Sequence, residues 1–85
     1  MSAMHEIGIA NSVLEAVQAE AARHPGAVPV KVGLRIGDLS GVNPDALAFS
    51  FEVLTSGTDW PRLALEIETR AGDELDLTYV ELEES

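Results

Sequence analysis

The fold of this chain is decided by one stretch of sequence, Val30-Lys31-Val32-Gly33-Leu34-Arg35-Ile36-Gly37. Apolar residues alternate in it with charged residues and glycines, which is the period of a β-strand with one buried face. Its two glycines, Gly33 and Gly37, fall on the outward face, so either another group packs closely against them or the strand bends there. The stretch therefore predicts a strand whose other face rests on the core.

Two helices are predicted around this strand. Residues 9 to 23 carry apolar side chains at helical spacing, and His24-Pro25-Gly26 ends this helix because proline cannot continue the hydrogen-bond ladder. Asn43-Pro44-Asp45 begins the second helix, with Asn43 as its N-cap, and Ser56-Gly57 closes it. The second helix has an apolar stripe of Leu47, Phe51 and Leu54, with Phe49 and Val53 on a neighbouring face.

Two further strands follow the second helix. One runs from about Leu63 to Arg70, and the last runs from about Glu74 to Glu83. The apolar phase of the last strand shifts along its length, from Leu75, Leu77 and Tyr79 to Val80 and Leu82. That shift predicts either a β-bulge or a tail that leaves the sheet. The connection between the two strands is a turn of about two residues, Ala71-Gly72, which predicts a tight antiparallel hairpin.

Length and composition limit the classes of protein to consider. The chain has 85 residues, of which 46% are apolar, and a formal charge of −10. This suits one small domain with a two-layer core, and a homodimer is one way to cover surplus apolar surface. The acidity repels phosphate backbones and anionic lipid, so nucleic-acid and membrane binding are not expected. No export signal or membrane-spanning run is evident, so we expect a cytoplasmic location.

One short motif carries candidate chemistry. Met4-His5-Glu6 sets an imidazole beside a carboxylate just upstream of the first predicted helix. Imidazole nitrogen binds nickel, copper or zinc, and deprotonated backbone amides favour planar nickel or copper. The other histidine, His24, lies at a helix end, where we expect it to face the negative end of the helix dipole. The sequence has no catalytic triad order, phosphate loop or cysteine, so we do not expect an enzyme.

Several segments resemble the HypA/HybF family, the nickel metallochaperones of hydrogenase maturation. The motif Met4-His5-Glu6 is similar to the start of that family. The other similar segments are Lys31 to Val42, Pro44 to Glu52, Leu65 to Glu68 and Gly72 to Glu83. Together they cover nearly the whole chain.

The resemblance implies a function, a metal and a set of partners. In the family, nickel is bound by the histidine side chain with backbone nitrogens, including the terminal amine. Carried over by residue, this set is Met4, His5 and Glu6. The family's partners are the maturation GTPase HypB and the hydrogenase large-subunit precursor, with urease maturation in some organisms.

Two departures from the family pattern matter. Family members carry a zinc module with two CxxC pairs between the last two strands, whereas here only Ala71 and Gly72 stand between Arg70 and Asp73 and the chain has no cysteine. Natural loss or engineering would each produce this connection. In addition, Met1-Ser2-Ala3 precede Met4, so a family-type site forms only if the chain starts at Met4. Otherwise nickel binding is weakened or rearranged.

We therefore expect an α+β fold, with two helices packed on a three-stranded mixed β-sheet in a two-layer sandwich. Residues 1–85 would form a single nickel-binding domain without zinc, which delivers Ni(II) during [NiFe]-hydrogenase maturation. The alternative is a metal-free interaction or scaffold module that kept the fold and lost nickel and zinc binding. The acidity fits a solvated surface, and it also fits a field that attracts divalent cations or a basic partner.

Overall fold

A computed structural model describes residues 3–84 of the chain. Two helices and three strands alternate along it, in the order α1 (Ala3–Ala22), β1 (Ala27–Gly37), α2 (Pro44–Ser56), β2 (Ala64–Arg70) and β3 (Leu75–Glu84). The buried core is made mostly by α1, α2 and β1. The predicted α+β arrangement of two helices on a three-stranded mixed sheet is confirmed. Neither helix in this part of the chain combines the length and apolarity that a membrane span requires.

Strand β1 is the central strand of the sheet. The strand order is β2-β1-β3, with β2 parallel and β3 antiparallel to β1. The helix α2 supplies the long connection that the parallel pair needs. Central position explains why Val32, Leu34 and Ile36 are almost fully buried.

The predicted start of α2 is confirmed. The Asn43 side chain accepts a hydrogen bond from the Ala46 backbone N–H over 3.1 Å, and Pro44 occupies the first helical turn. Both features stabilise a helix start locally, because they satisfy or remove donors that the first turn leaves unpaired. Leu47 and Phe51 then point into the core.

The first helix begins earlier than the sequence predicted. It starts at Ala3 rather than at residue 9, so His5 lies inside its first turn instead of upstream of it. The reason is that Glu6 occupies the core-facing position four residues before Ala10, and both are buried. Because Glu6 is polar, it interrupts the apolar spacing in the first turn, and the helix start cannot be recognised from that spacing.

The predicted hairpin between β2 and β3 is wrong. These strands lie at opposite edges of the sheet, with β1 between them. The four residues that join them, 71–74, cross over the end of β1. Short separation along the chain predicted neighbouring strands, but here the parallel pairing of β2 with β1 leaves only the far edge for β3.

This crossing segment, residues 71–74 with the flanking Arg70, is held to the end of β1. The Asp38 carboxylate accepts a hydrogen bond from the Gly72 N–H over 3.1 Å. Three backbone hydrogen bonds of 2.7 Å each join Gly37 N–H to Glu74 O, Asp38 N–H to Arg70 O and Leu39 N–H to Gly72 O. The segment is therefore a tightly bonded bridge.

Of the two alternatives for the outward glycines of β1, close packing and a bend, the structure shows close packing at both. A Cβ added at Gly33 would overlap the Tyr79 ring, and one at Gly37 would overlap the Gly72 backbone. The predicted bulge in β3 is also present, because the residues opposite Gly33 and Leu34 are Tyr79 and Leu77. One extra residue between them turns Tyr79 to the face opposite Leu77, so these two do not share a face as expected.

Candidate metal site

His5 is presented to solvent at the start of α1. Its side chain is exposed and stands at a groove of about 540 Å³ between α1 and β3. The groove walls are mostly apolar and include Ile9, Val13, Leu34, Leu75 and Leu77. An exposed imidazole beside an apolar wall keeps at least one ring nitrogen available to a metal ion.

Backbone nitrogens of the first turn add to this donor set. The first N–H groups of an α-helix have no acceptor one turn earlier, and the described part of α1 begins at Ala3, with Met4, His5 and Glu6 in its first turn. Two consecutive nitrogens form a flat five-membered chelate ring only when ψ is near zero, whereas helical ψ is about −42°. A rotation of about 40° at each chelating residue therefore separates the helical backbone from a planar site.

The helix dipole acts against this site. The N-terminus of a helix carries about half a positive elementary charge, which repels a divalent cation. Amide deprotonation or unwinding of the first turn removes that repulsion. Binding of a cation at His5 is thus coupled to one of these two changes.

Glu6 has a different role from its neighbour. Its side chain is only 2% exposed, and its carboxylate accepts a hydrogen bond from the Asn43 N–H over 2.9 Å. This bond joins the start of α1 to the start of α2, where the positive end of a helix dipole favours an acid. Glu6 can offer its backbone nitrogen to a metal, but its carboxylate is engaged in the core.

The sequence pattern indicates Asn43 only as a helix cap and does not reveal this contact. One signal was available. A capping box places Glu or Gln at the third helical position, where it accepts from the N-cap N–H, and this chain has Ala46 there. The N–H of Asn43 therefore needed an acceptor from elsewhere in the chain.

The structure also places Met4, the remaining predicted ligand, and His24, the second histidine. Met4 lies in the first turn of α1, and the terminal amine of the family arrangement falls outside the described residues. His24 Nε2 lies 3.1 Å from the Glu20 carboxylate, so it pairs with an acid one helical turn away. Within residues 3–84, no group of three or more His, Cys, Asp and Glu side chains could hold a metal. A metal site here depends on backbone nitrogens.

Zinc of the family type does not fit this chain. A structural zinc site needs four ligands, usually cysteines with or without histidine. The crossing segment 71–74 is too short to carry two CxxC pairs, and the sequence contains no cysteine.

Comparison with known proteins agrees with these features. A family model described as "Hydrogenase/urease nickel incorporation, metallochaperone, hypA" matches residues 4–81. The hydrogenase maturation factor HypA of Rhizobium leguminosarum bv. viciae is 48% identical over 71 residues, covering 82% of this chain and 62% of that protein. The HypA protein of Methanopyrus kandleri is 46% identical over 70 residues, covering 81% of this chain and 49% of that protein.

The two-layer α+β domain, with a histidine at the start of its first helix, is thus matched by the model of a family described as nickel-incorporation metallochaperones. The chain belongs to the HypA family. It spans only 49% to 62% of the length of the relatives named above.

Proposed function

We propose that this domain binds Ni(II) at the start of α1 and hands it on during hydrogenase maturation. The observation that supports this is the position of His5, which is exposed in the first described turn of α1, among the backbone nitrogens of Met4, His5 and Glu6. The ligands would be the His5 imidazole and backbone nitrogens of Met4, His5 and Glu6. Nickel is then a cargo, and the domain is a carrier rather than a catalyst.

Acid should oppose binding at this site. Protons compete for the imidazole and for the backbone nitrogens, so nickel binding releases protons. Binding should also loosen the first turn of α1, because a planar set of nitrogens needs ψ values away from the helical ones. The two effects distinguish this site from a simple exposed histidine.

The whole-protein role is proposed on the family relationship. Transfer would go through docking to the maturation GTPase HypB and the hydrogenase large-subunit precursor, in the cytoplasm. Residues 1–85 would act as a single nickel-binding domain. The alternative function is a metal-free interaction module, which the engaged carboxylate of Glu6 favours because it removes one side-chain ligand.

The test is nickel binding by His5→Ala and His24→Ala variants, measured by equilibrium dialysis and by the absorption of planar nickel. His5→Ala should lose stoichiometric planar nickel, and His24→Ala should keep it. Both side chains are exposed, so stability should change by no more than about 0.5 kcal/mol. Unchanged nickel affinity in His5→Ala would show that His5 is not a ligand, and no nickel binding by the unaltered chain would favour the metal-free interaction module.

The same measurement on a chain that begins at Met4 tests the terminal amine. Recruiting the amine should strengthen binding about tenfold, or about 1.4 kcal/mol. Equal affinity of the two chains would show that the amine is not a ligand and would leave His5 with backbone nitrogens alone.

A further inference from the structure

The outer surface of the two helices carries an apolar patch that the nickel site does not use. It consists of the residues that line a groove of about 270 Å³ between α1 and α2, namely Ile7, Ala46, Phe49, Ser50, Val53 and Leu54. We call this set the helix-layer patch. Three of its large side chains are exposed: Phe49 by 68%, Val53 by 54% and Ile7 by 43%. A cluster of large exposed apolar side chains marks an interaction surface more often than scattered single ones do.

The charges around the patch have one sign. Neither α1 nor α2, across residues 3–22 and 44–56, contains a lysine or an arginine. Asp45 and Glu52 stand four residues before and three residues after Phe49, so they flank it on the same side of α2. All five basic residues of the chain lie elsewhere, at Arg23, Lys31, Arg35, Arg62 and Arg70.

The backbone at the patch limits how a partner binds. Helical backbone groups are paired within each helix, so the patch offers no free strand edge for an extended peptide to join. A groove between two helices instead accepts the side chains of a third helix, which packs at about 8–10 Å from its neighbours. Recognition therefore takes place through side chains.

We infer that the helix-layer patch docks an amphipathic helix of a partner protein, with an apolar stripe bordered by lysine or arginine. The stripe would cover Phe49, Val53 and Ile7, and the basic side chains would meet Asp45 and Glu52. A second copy of this chain does not suit as the partner if its own helix-layer patch makes the contact, because acidic side chains would then face acidic side chains without a counter-charge. This inference goes beyond nickel binding and does not depend on it.

The experiment uses a synthetic helix of about 15 residues as the probe, the length at which isolated helices become marginally stable. Leucines form one stripe and lysines cover the rest. The control peptide has the same composition in shuffled order, so that it keeps the charge and loses the stripe. Binding is measured by calorimetry on the full chain without nickel, which separates this test from that of the nickel site.

Two protein variants separate docking from general attraction between opposite charges. Phe49→Glu removes the centre of the patch and adds one negative charge. Leu39→Glu makes a matched change at a side chain 77% exposed and outside the patch. General attraction would strengthen binding in both variants, whereas docking at the patch predicts at least tenfold weaker binding for Phe49→Glu and none of that loss for Leu39→Glu.

Three results would overturn the inference. One is equal binding of the striped and shuffled peptides by the unaltered chain. Another is an equal effect of the two substitutions. The third is a dimer of the unaltered chain that Phe49→Glu dissociates, since the occupant of the patch would then be a second copy. Unchanged melting temperatures of both variants are the check on folding.

Discussion

Two adjacent residues of the motif, His5 and Glu6, have opposite environments. Successive helical residues point about 100° apart, so one side chain of such a pair can face solvent while the other faces the core. His5 is exposed, while Glu6 reaches 37 positions along the chain to the N–H of Asn43. The solvent-facing and anchoring parts of the motif are therefore carried by different residues.

The anchoring role of Glu6 predicts a specific loss of stability. Glu6→Ala removes the acceptor of the Asn43 N–H and leaves the buried position of the Glu6 side chain unfilled, which should cost about 1–3 kcal/mol of the free energy of unfolding. Glu6→Gln should cost less, because its amide oxygen still accepts. Urea denaturation measures both, and Glu52→Ala, at an exposed carboxylate, is the control. A Glu6→Ala protein as stable as the control would disprove the anchor.

Tyr79 provides a pH-dependent prediction. Its hydroxyl donates a hydrogen bond to the Glu66 carboxylate, and this bond, with the nearby negative charge, raises the pKa of Tyr79 to about 12. Because the folded pKa is raised, the stabilisation is complete below about pH 10 and disappears as the pH rises through 12.

The tyrosinate absorbance reports this titration directly, because Tyr79 is the chain's 1 tyrosine. Glu66→Ala should move the midpoint down toward about 10, the ordinary value for tyrosine. Glu52→Ala, on the helical layer, should leave it in place. A midpoint near 10 in the unaltered protein would mean that the bond to Glu66 does not form in solution.

At the scale of elements, the crossing segment depends on the absence of a side chain at Gly37. Gly37→Ala places a methyl group against the backbone of Gly72. Backbone cannot move aside as a side chain can, so we expect a loss of about 1–3 kcal/mol in the free energy of unfolding.

The same substitution at Gly8 is the matched control. A Cβ there meets nothing within 4 Å, and Gly8 lies inside α1. Replacing a helical glycine by alanine should therefore stabilise the protein by about 0.5–1 kcal/mol. The two variants should shift the melting temperature in opposite directions. A shift of the same sign in both would show that the bridge tolerates a methyl group.

Local signals in the sequence were enough to predict the elements, but not how they are arranged. Asn43 and Pro44 fix the start of α2 by contacts within one turn, so its position was predictable. The buried state of Glu6 depends on a backbone group far along the chain, and no pattern near residue 6 reports it. Strand order is equally nonlocal, and the predicted β2–β3 hairpin was therefore wrong.

At the scale of the whole molecule, the basic residues lie outside the two helices. The helices carry acids and no lysine or arginine, whereas Lys31, Arg35 and Arg70 lie on strands. On the sheet, Arg35 and Arg70 share one partner, Glu68, at 3.6 Å and 3.0 Å. Exposed pairs of this kind contribute about 0–1 kcal/mol each, so they add little stability. The strands still carry more acids than bases, so both layers are acidic.

The core predicts that folding does not depend on zinc. Val17, Val32, Leu47 and Phe51 belong to one continuous buried cluster drawn from both helices and the sheet. Packing of these side chains, rather than a metal, supplies the stability. The chain should unfold cooperatively, with the same melting temperature in EDTA as without it. A large fall on adding EDTA to nickel-free protein would contradict this.

The bridge over β1 also sets how this domain accommodates added sequence. Its ends join opposite edges of the sheet and so stand two strand spacings apart, about 10 Å. The two termini of a domain are often close together, so a foreign domain inserted in the bridge can be joined to it through both of its termini. It would then have two attachment points. A domain attached at two points can rotate only about the line that joins them, whereas a domain attached by a single linker can rotate in all directions. A fluorescent reporter inserted between Ala71 and Asp73 would thus keep a restricted orientation relative to the sheet.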